Sequence, residues 1–241
     1  MIWDELKSGA KLAFLAGLLL TAAAVEAKKK KPEPLPPPPP PAPPAPRIVY
    51  VPYPPTPPNY AAPTMGIPPM GADGLRVSVN RGISPAQITW NLRSAYNVGA
   101  LSCSDPKHAE IVVSYRAFLK AYSKTLTAVN RKVDAEWRGK YGAKFIKPRE
   151  KYMTEVYNHF ASPPTLPAFC DAILAVSKDA KLIKKPATLD GFAFASLPSI
   201  EIVFDDFFKR FDAYRVDLAA WEAKWGKGAV GGSAIVLPPG S

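Results

Sequence analysis

The sequence predicts an all-α fold: an elongated helical bundle of about five helices behind a disordered proline-rich spacer. Three observations point there. Nineteen of the 29 prolines lie between Pro32 and Pro69, and proline, with a fixed φ and no amide donor, joins neither a helix interior nor a sheet ladder. From Ser84 to Trp225 apolar residues return every three or four positions, the period of one helix face. Nothing in 84–226 alternates convincingly at period two, which leaves only short strand-like pieces near Arg76–Val79 and Ala234–Leu237.

Residues 1–27 read as a signal peptide or a membrane anchor. Lys7 and Lys11 precede a 14-residue apolar run, Leu12 to Val25, that ends in Val25-Glu26-Ala27 with small residues at both key positions. The run is short for a membrane span, which needs about 20 residues. Asp4, Glu5 and the cations Lys28 to Lys31 depart from an ordinary export signal and keep an uncleaved anchor, residues 12–25, as the alternative. The expected location is periplasmic or secreted. The absence of an N-x-Ser/Thr sequon favours a bacterial envelope.

Residues 28–83 form the Lys/Pro-rich spacer, expected in extended polyproline II conformation. The helical domain, 84–226, opens at Ser84-Pro85-Ala86-Gln87, a capping box with proline at the first helical position. Ile88, Leu92, Ala95, Tyr96, Gly99, Ala100 and Cys103 then line one face. Asp105-Pro106 repeats the start signal for a second helix about 30 residues long, striped by Ile111, Tyr115, Leu119, Tyr122, Leu126, Val129, Val133 and Trp137 and broken at Gly139 and Gly142.

A third helix begins near Pro148 and turns Tyr152, Val156, Tyr157 and Phe160 inward; a short fourth, near Pro167 to Lys178, offers Phe169, Cys170, Ile173 and Leu174. The last carries a heptad seam, Ile200, Phe204, Phe207, Phe211, Tyr214, Leu218, Trp221 and Trp225. Large aromatics at successive seam positions suit packing inside the chain, against the long second helix; a homodimer through this helix is the alternative. The glycine-rich residues 227–241 read as a flexible tail.

Cys103 and Cys170 are the only cysteines, spaced like neither a zinc site nor a haem attachment. In an oxidising compartment they are expected to form a disulfide.

The formal net charge is +11. Its densest block is 138–151, where Arg138, Lys140, Lys144, Lys147, Arg149 and Lys151 face one acid, Glu150, among Trp137, Tyr141, Phe145 and Tyr152. Cations give long-range attraction and rings give stacking, a pairing suited to anionic polymers and head groups. The candidate binding residues are therefore Arg138, Lys140, Tyr141, Lys144, Phe145, Lys147 and Arg149. The plainer reading is a solvated connection whose cations pair with Glu201, Asp205, Asp206, Asp212 and Asp217 of the last helix. An exported protein makes nucleic acid a poor partner; anionic lipid, lipopolysaccharide, a cell-wall polymer or an envelope protein fits better.

Signals of chemistry are sparse. His108 and His159 are the only histidines, and Glu155 and His159 could share a helix face, but HExxH is absent and no metal site is expected. Asp205 and Asp206 are adjacent and point in different directions on a helix, the wrong arrangement for paired acid/base work. No catalytic residues and no cofactor motif, neither GxSxG, P-loop nor dinucleotide fingerprint, are found. The expected function is an exported envelope interaction or scaffold protein presenting a basic helical domain on a proline-rich spacer. A periplasmic enzyme with no recognisable motif is the alternative.

Overall fold

The structure, a computed structural model, describes residues 37–181 and 188–238. The export signal expected in 1–27 and the lysines Lys28 to Lys31 lie outside the described residues. Residues 37–45 are exposed and contain neither helix nor strand.

Ser84 starts the first helix, α1 (Pro85–Ser102), through a complete capping box: its hydroxyl accepts from the Gln87 amide at 3.1 Å, and the Gln87 side chain accepts from the Ser84 amide at 3.0 Å. Asp105 caps a 3-10 turn, Pro106–His108, by accepting from the Lys107 amide at 2.9 Å, and the turn leads into α2 (Ala109–Tyr141). Gly139 stays inside α2. The stop is Gly142, whose φ of 60° and ψ of −142° lie where only glycine sits without strain. Three more helices follow: α3 (Ile146–Phe160), α4 (Leu166–Ala180) and α5 (Leu189–Trp225). Among the described residues the observed fold is thus an all-α bundle of five helices.

The longest difference from the sequence pattern is the start of α5, which begins eleven residues before Ile200 and carries Pro198 in its interior. Proline there removes one helical hydrogen bond and costs about 3 kcal/mol. Complete or nearly complete burial of Leu189, Ala193 and Leu197 offsets that cost.

Packing centres on α1, which touches the other four helices. Leu92, Ala95 and Tyr96 are fully buried, and so are the polar Asn91 and Ser94. Gly99 faces α4 so closely that a β-carbon there would lie 2.7 Å from Cγ2 of Ile173. One turn further on, Cys103 and Cys170 form the expected disulfide, with Cα atoms 5.6 Å apart. The α2 stripe is buried as anticipated at Ile111, Tyr115, Tyr122, Leu126, Val129 and Val133.

Phe204, Phe207 and Phe211 are buried within the single chain, but the surface covering them differs from expectation. Helix α5 packs chiefly on α1 and α4, not on the long α2. Phe204 meets the rings of His159, Phe160 and Phe169. The remaining cover comes from the proline-rich segment. The compact unit begins at Pro46, well before the boundary expected at residue 84.

Residues 46–83 are accordingly fastened along α5. The Trp221 indole donates to the Pro52 carbonyl at 3.0 Å, Arg215 donates to the Met65 carbonyl at 2.9 Å, and Arg210 to Asn59 Oδ1 at 3.2 Å. Arg76 pairs with Asp212 and Arg81 with Asp205. Val51 and Ala61 are buried. The segment also contributes β1 (Arg47–Tyr50), paired antiparallel with β2 (Ala234–Leu237) of the region read as a tail, with Ile48 opposite Val236. Of the two strand-like pieces, only Ala234–Leu237 is a strand; near Arg76 there is a single bridge to Met70. Proline excludes regular secondary structure, yet side chains and carbonyls of an extended segment still bond to a helix, which is how this one is held.

Candidate anionic contact surface

The α2–α3 connection gathers most of the expected contact residues. Trp137 and Tyr141, four apart on α2, stack with ring centroids 5.3 Å apart and planes 11° from parallel. Tyr152 of α3 approaches Trp137 from the side, also at 5.3 Å. Trp137 is anchored below by a small core cluster of Ala86, Val129 and Val133 that also holds Trp90. An open cleft of about 610 Å³ runs along these rings, with Lys147, Pro148 and Lys151 on its wall.

The cations divide into two groups. The Arg138 guanidinium sits 4.8 Å over the Phe145 ring, and Lys140 Nζ lies 5.3 Å from the Tyr141 ring and 5.9 Å from Trp137. Such contacts hold a cation beside an aromatic face without neutralising it. Arg138, Lys140, Lys144 and Lys147 are exposed and form no ion pair with a carboxylate of the described residues. Arg149 is different. Its Nε lies 2.5 Å from Asp134 and its Nη2 donates to Asn130 Oδ1 at 2.6 Å, so it ties α3 to α2 and is not a free contact residue. Lys151 reaches Glu155 at 3.8 Å.

The acids of α5 do not serve as counter-ions for this block. Asp205 and Asp212 are taken by Arg81 and Arg76, and Glu201 by a buried network. Glu201 is 6% exposed; it accepts from Ser78 Oγ at 2.6 Å and Asn80 Nδ2 at 2.7 Å, and pairs with His159 Nε2 at 2.8 Å. Burial alone would raise its pKa. The hydrogen bond and charge of His159, helped by Ser78 and Asn80, outweigh burial and hold the carboxyl below the usual range.

The histidines therefore have structural partners. His159 turns to Glu201 rather than to Glu155, and His108, 3% exposed, meets Asp171 at 2.7 Å. No group of metal-ligating side chains occurs among the described residues.

Sequence reasoning missed the Glu201 network because its members come from 78, 80, 159 and 201, with no spacing to join them. It also connects to the cleft. Asn91 Nδ2 donates to Asn80 Oδ1 at 2.8 Å and to the Tyr152 hydroxyl at 2.7 Å. Burial raises the Tyr152 phenol to about 12, against the opposing hydrogen bond of Asn91, so the ring bordering the cleft stays neutral. The arrangement can attract and stack. Comparison with known protein families, with curated proteins and with solved structures finds no match for this chain.

Proposed function

We propose that this protein is an exported envelope interaction protein whose helical domain contacts an anionic envelope component through the α2–α3 end. The observation that carries the reading is the set of four cations, Arg138, Lys140, Lys144 and Lys147, that have no ion pair among the described residues, beside a stacked Trp137–Tyr141 pair that borders an open cleft. Unpaired cations attract anions at a distance, and a ring platform adds stacking or interfacial contact at short range. The Cys103–Cys170 disulfide accords with the oxidising compartment that export implies. The lysines and prolines preceding residue 46 supply the tether in this reading.

Co-sedimentation with anionic vesicles and with cell-wall preparations tests it. The variant with Arg138, Lys140, Lys144 and Lys147 all replaced by Gln is expected to lose most of its binding at low salt with an unchanged helical signal. Wild-type binding should weaken as salt rises, since exposed charges are screened beyond about 8 Å at physiological ionic strength. Equal binding by the two proteins would remove the α2–α3 end from the contact.

A further inference from the structure

A second cavity, of about 410 Å³, is lined by Asn80, which accepts from Asn91, by Arg81 and by the stretch of α5 around Pro198. Its walls are apolar: Ile88 of α1 and Phe194, Leu197, Pro198 and Ile202 of α5. Phe194 is 70% exposed and Ile202 57%, so the helix carries an apolar ridge at 194, 198 and 202 along the mouth of the cavity. Small-molecule sites are concave and mostly apolar, with a few convergent polar groups. Here the polar groups are Glu201, Asp205, Asn80 and Arg81.

The accepting capacity left open among those groups lies on the two carboxylates. Arg81 Nη1 donates to the Arg76 carbonyl and Nη2 to Asp205 Oδ2, and Asn80 Nδ2 donates to Glu201 Oε1. By contrast, among the described residues Glu201 Oε2 receives only the Ser78 hydroxyl and Asp205 Oδ1 receives no donor. The Phe194 carbonyl loses the amide donor of an unbroken helix, because position 198 is proline. A carboxylate oxygen accepts more than one hydrogen bond, so these are unfilled sites at the floor and rim of an apolar chamber.

We infer that this cavity is a binding site for an alkyl- or arylammonium group, an apolar body lying against Ile88, Leu197 and Ile202 with its amine donating to Glu201 and Asp205. An ammonium brings three donors and no acceptor, which complements the open carboxylate oxygens; a carboxylate brings only acceptors and meets two anions, with just the remaining N–H groups of Arg81, a guanidinium already paired with Asp205, to receive it. The shared chemistry comes from a free amine or from a lysine side chain of a polypeptide. The site is separate from the basic α2–α3 surface and does not depend on it.

The full chain is titrated at constant ionic strength with hexylamine, 2-phenylethylamine, N-acetyl-lysine methylamide and hexanoate, followed by methyl NMR and calorimetry. Saturable shifts of the Ile88, Leu197 and Ile202 methyls are expected with amines and none with hexanoate. Tighter binding by the free amines assigns a small-molecule source, and tighter binding by the lysine derivative a polypeptide one. Ile202→Lys, at an exposed position, sets a tethered ammonium at the mouth of the cavity and should weaken amine binding by about tenfold or more while melting stays cooperative. Hexanoate binding as tightly as hexylamine, amine titrations without saturation, or unchanged affinity in Ile202→Lys would each overturn the site.

Discussion

Glu201 holds together three parts of the chain, meeting Ser78 and Asn80 of the proline-rich segment and His159 of α3 from its place on α5. Removing one partner of a buried ionic pair leaves the other uncompensated, so Glu201→Ala should lower unfolding free energy by about 3–5 kcal/mol in urea titrations. Its pH dependence has a definite sign. The folded-state pKa lies below the ordinary 4.5, so the network stabilises the fold above that pH and its contribution is lost as pH falls through the folded value. Stability of Glu201→Gln should therefore decline less steeply on acidification than wild type; identical slopes would mean that the ionised form is not what holds the segment. Gly99 gives a second test at this scale. Alanine in a helix gains about 1 kcal/mol over glycine, but overpacking costs about 1–3 kcal/mol. Gly99→Ala should therefore destabilise wild type and stabilise the Ile173→Ala background, where the methyl in the way is gone. The same sign in both backgrounds would show that α1 and α4 do not meet there.

At the scale of elements, the Cys103–Cys170 link spans 67 residues and fastens the end of α1 to α4. Closing a loop of that length lowers the entropy of the unfolded chain, so the Cys103→Ala/Cys170→Ala variant should be less stable by about 4 kcal/mol. The proline-rich segment yields the sharper prediction. A fragment starting at residue 84 lacks Arg76, Asn80, Arg81 and the buried Val51 and Ala61, and exposes part of α5. It should melt earlier than a fragment starting at residue 46, and equal melting of the two would place 46–83 outside the folded unit. The five helices were legible because capping at Ser84, proline at 85 and 106, and three-four spacing act locally. The early start of α5 was not, since Pro198 argues locally against helix and only tertiary burial of Leu189, Ala193 and Leu197 overrides it. The attachment of 46–83 was equally hidden, because it depends on isolated side chains meeting a helix more than 100 residues away.

For the whole molecule, net charge and the run at 138–151 indicated the candidate surface, and the interleaved aromatics indicated its platform. What sequence could not separate was which cations are spent internally. Arg149 looks like its neighbours in the run, yet it alone reaches Asp134 and Asn130, while three of the α5 acids that looked available to the run, Asp212, Asp205 and Glu201, belong to Arg76, Arg81 and His159. Two basic clusters therefore compete as the anionic contact of the full chain: the α2–α3 end and the lysines at 28–31. The most direct measurement compares the salt dependence of full-chain binding to anionic vesicles for wild type, the quadruple Gln variant of Arg138, Lys140, Lys144 and Lys147, and the quadruple Gln variant of Lys28 to Lys31. The account predicts that the first variant loses most of the affinity and flattens the salt dependence, while the second stays close to wild type. Loss confined to the second variant would contradict it and assign the contact to the tether.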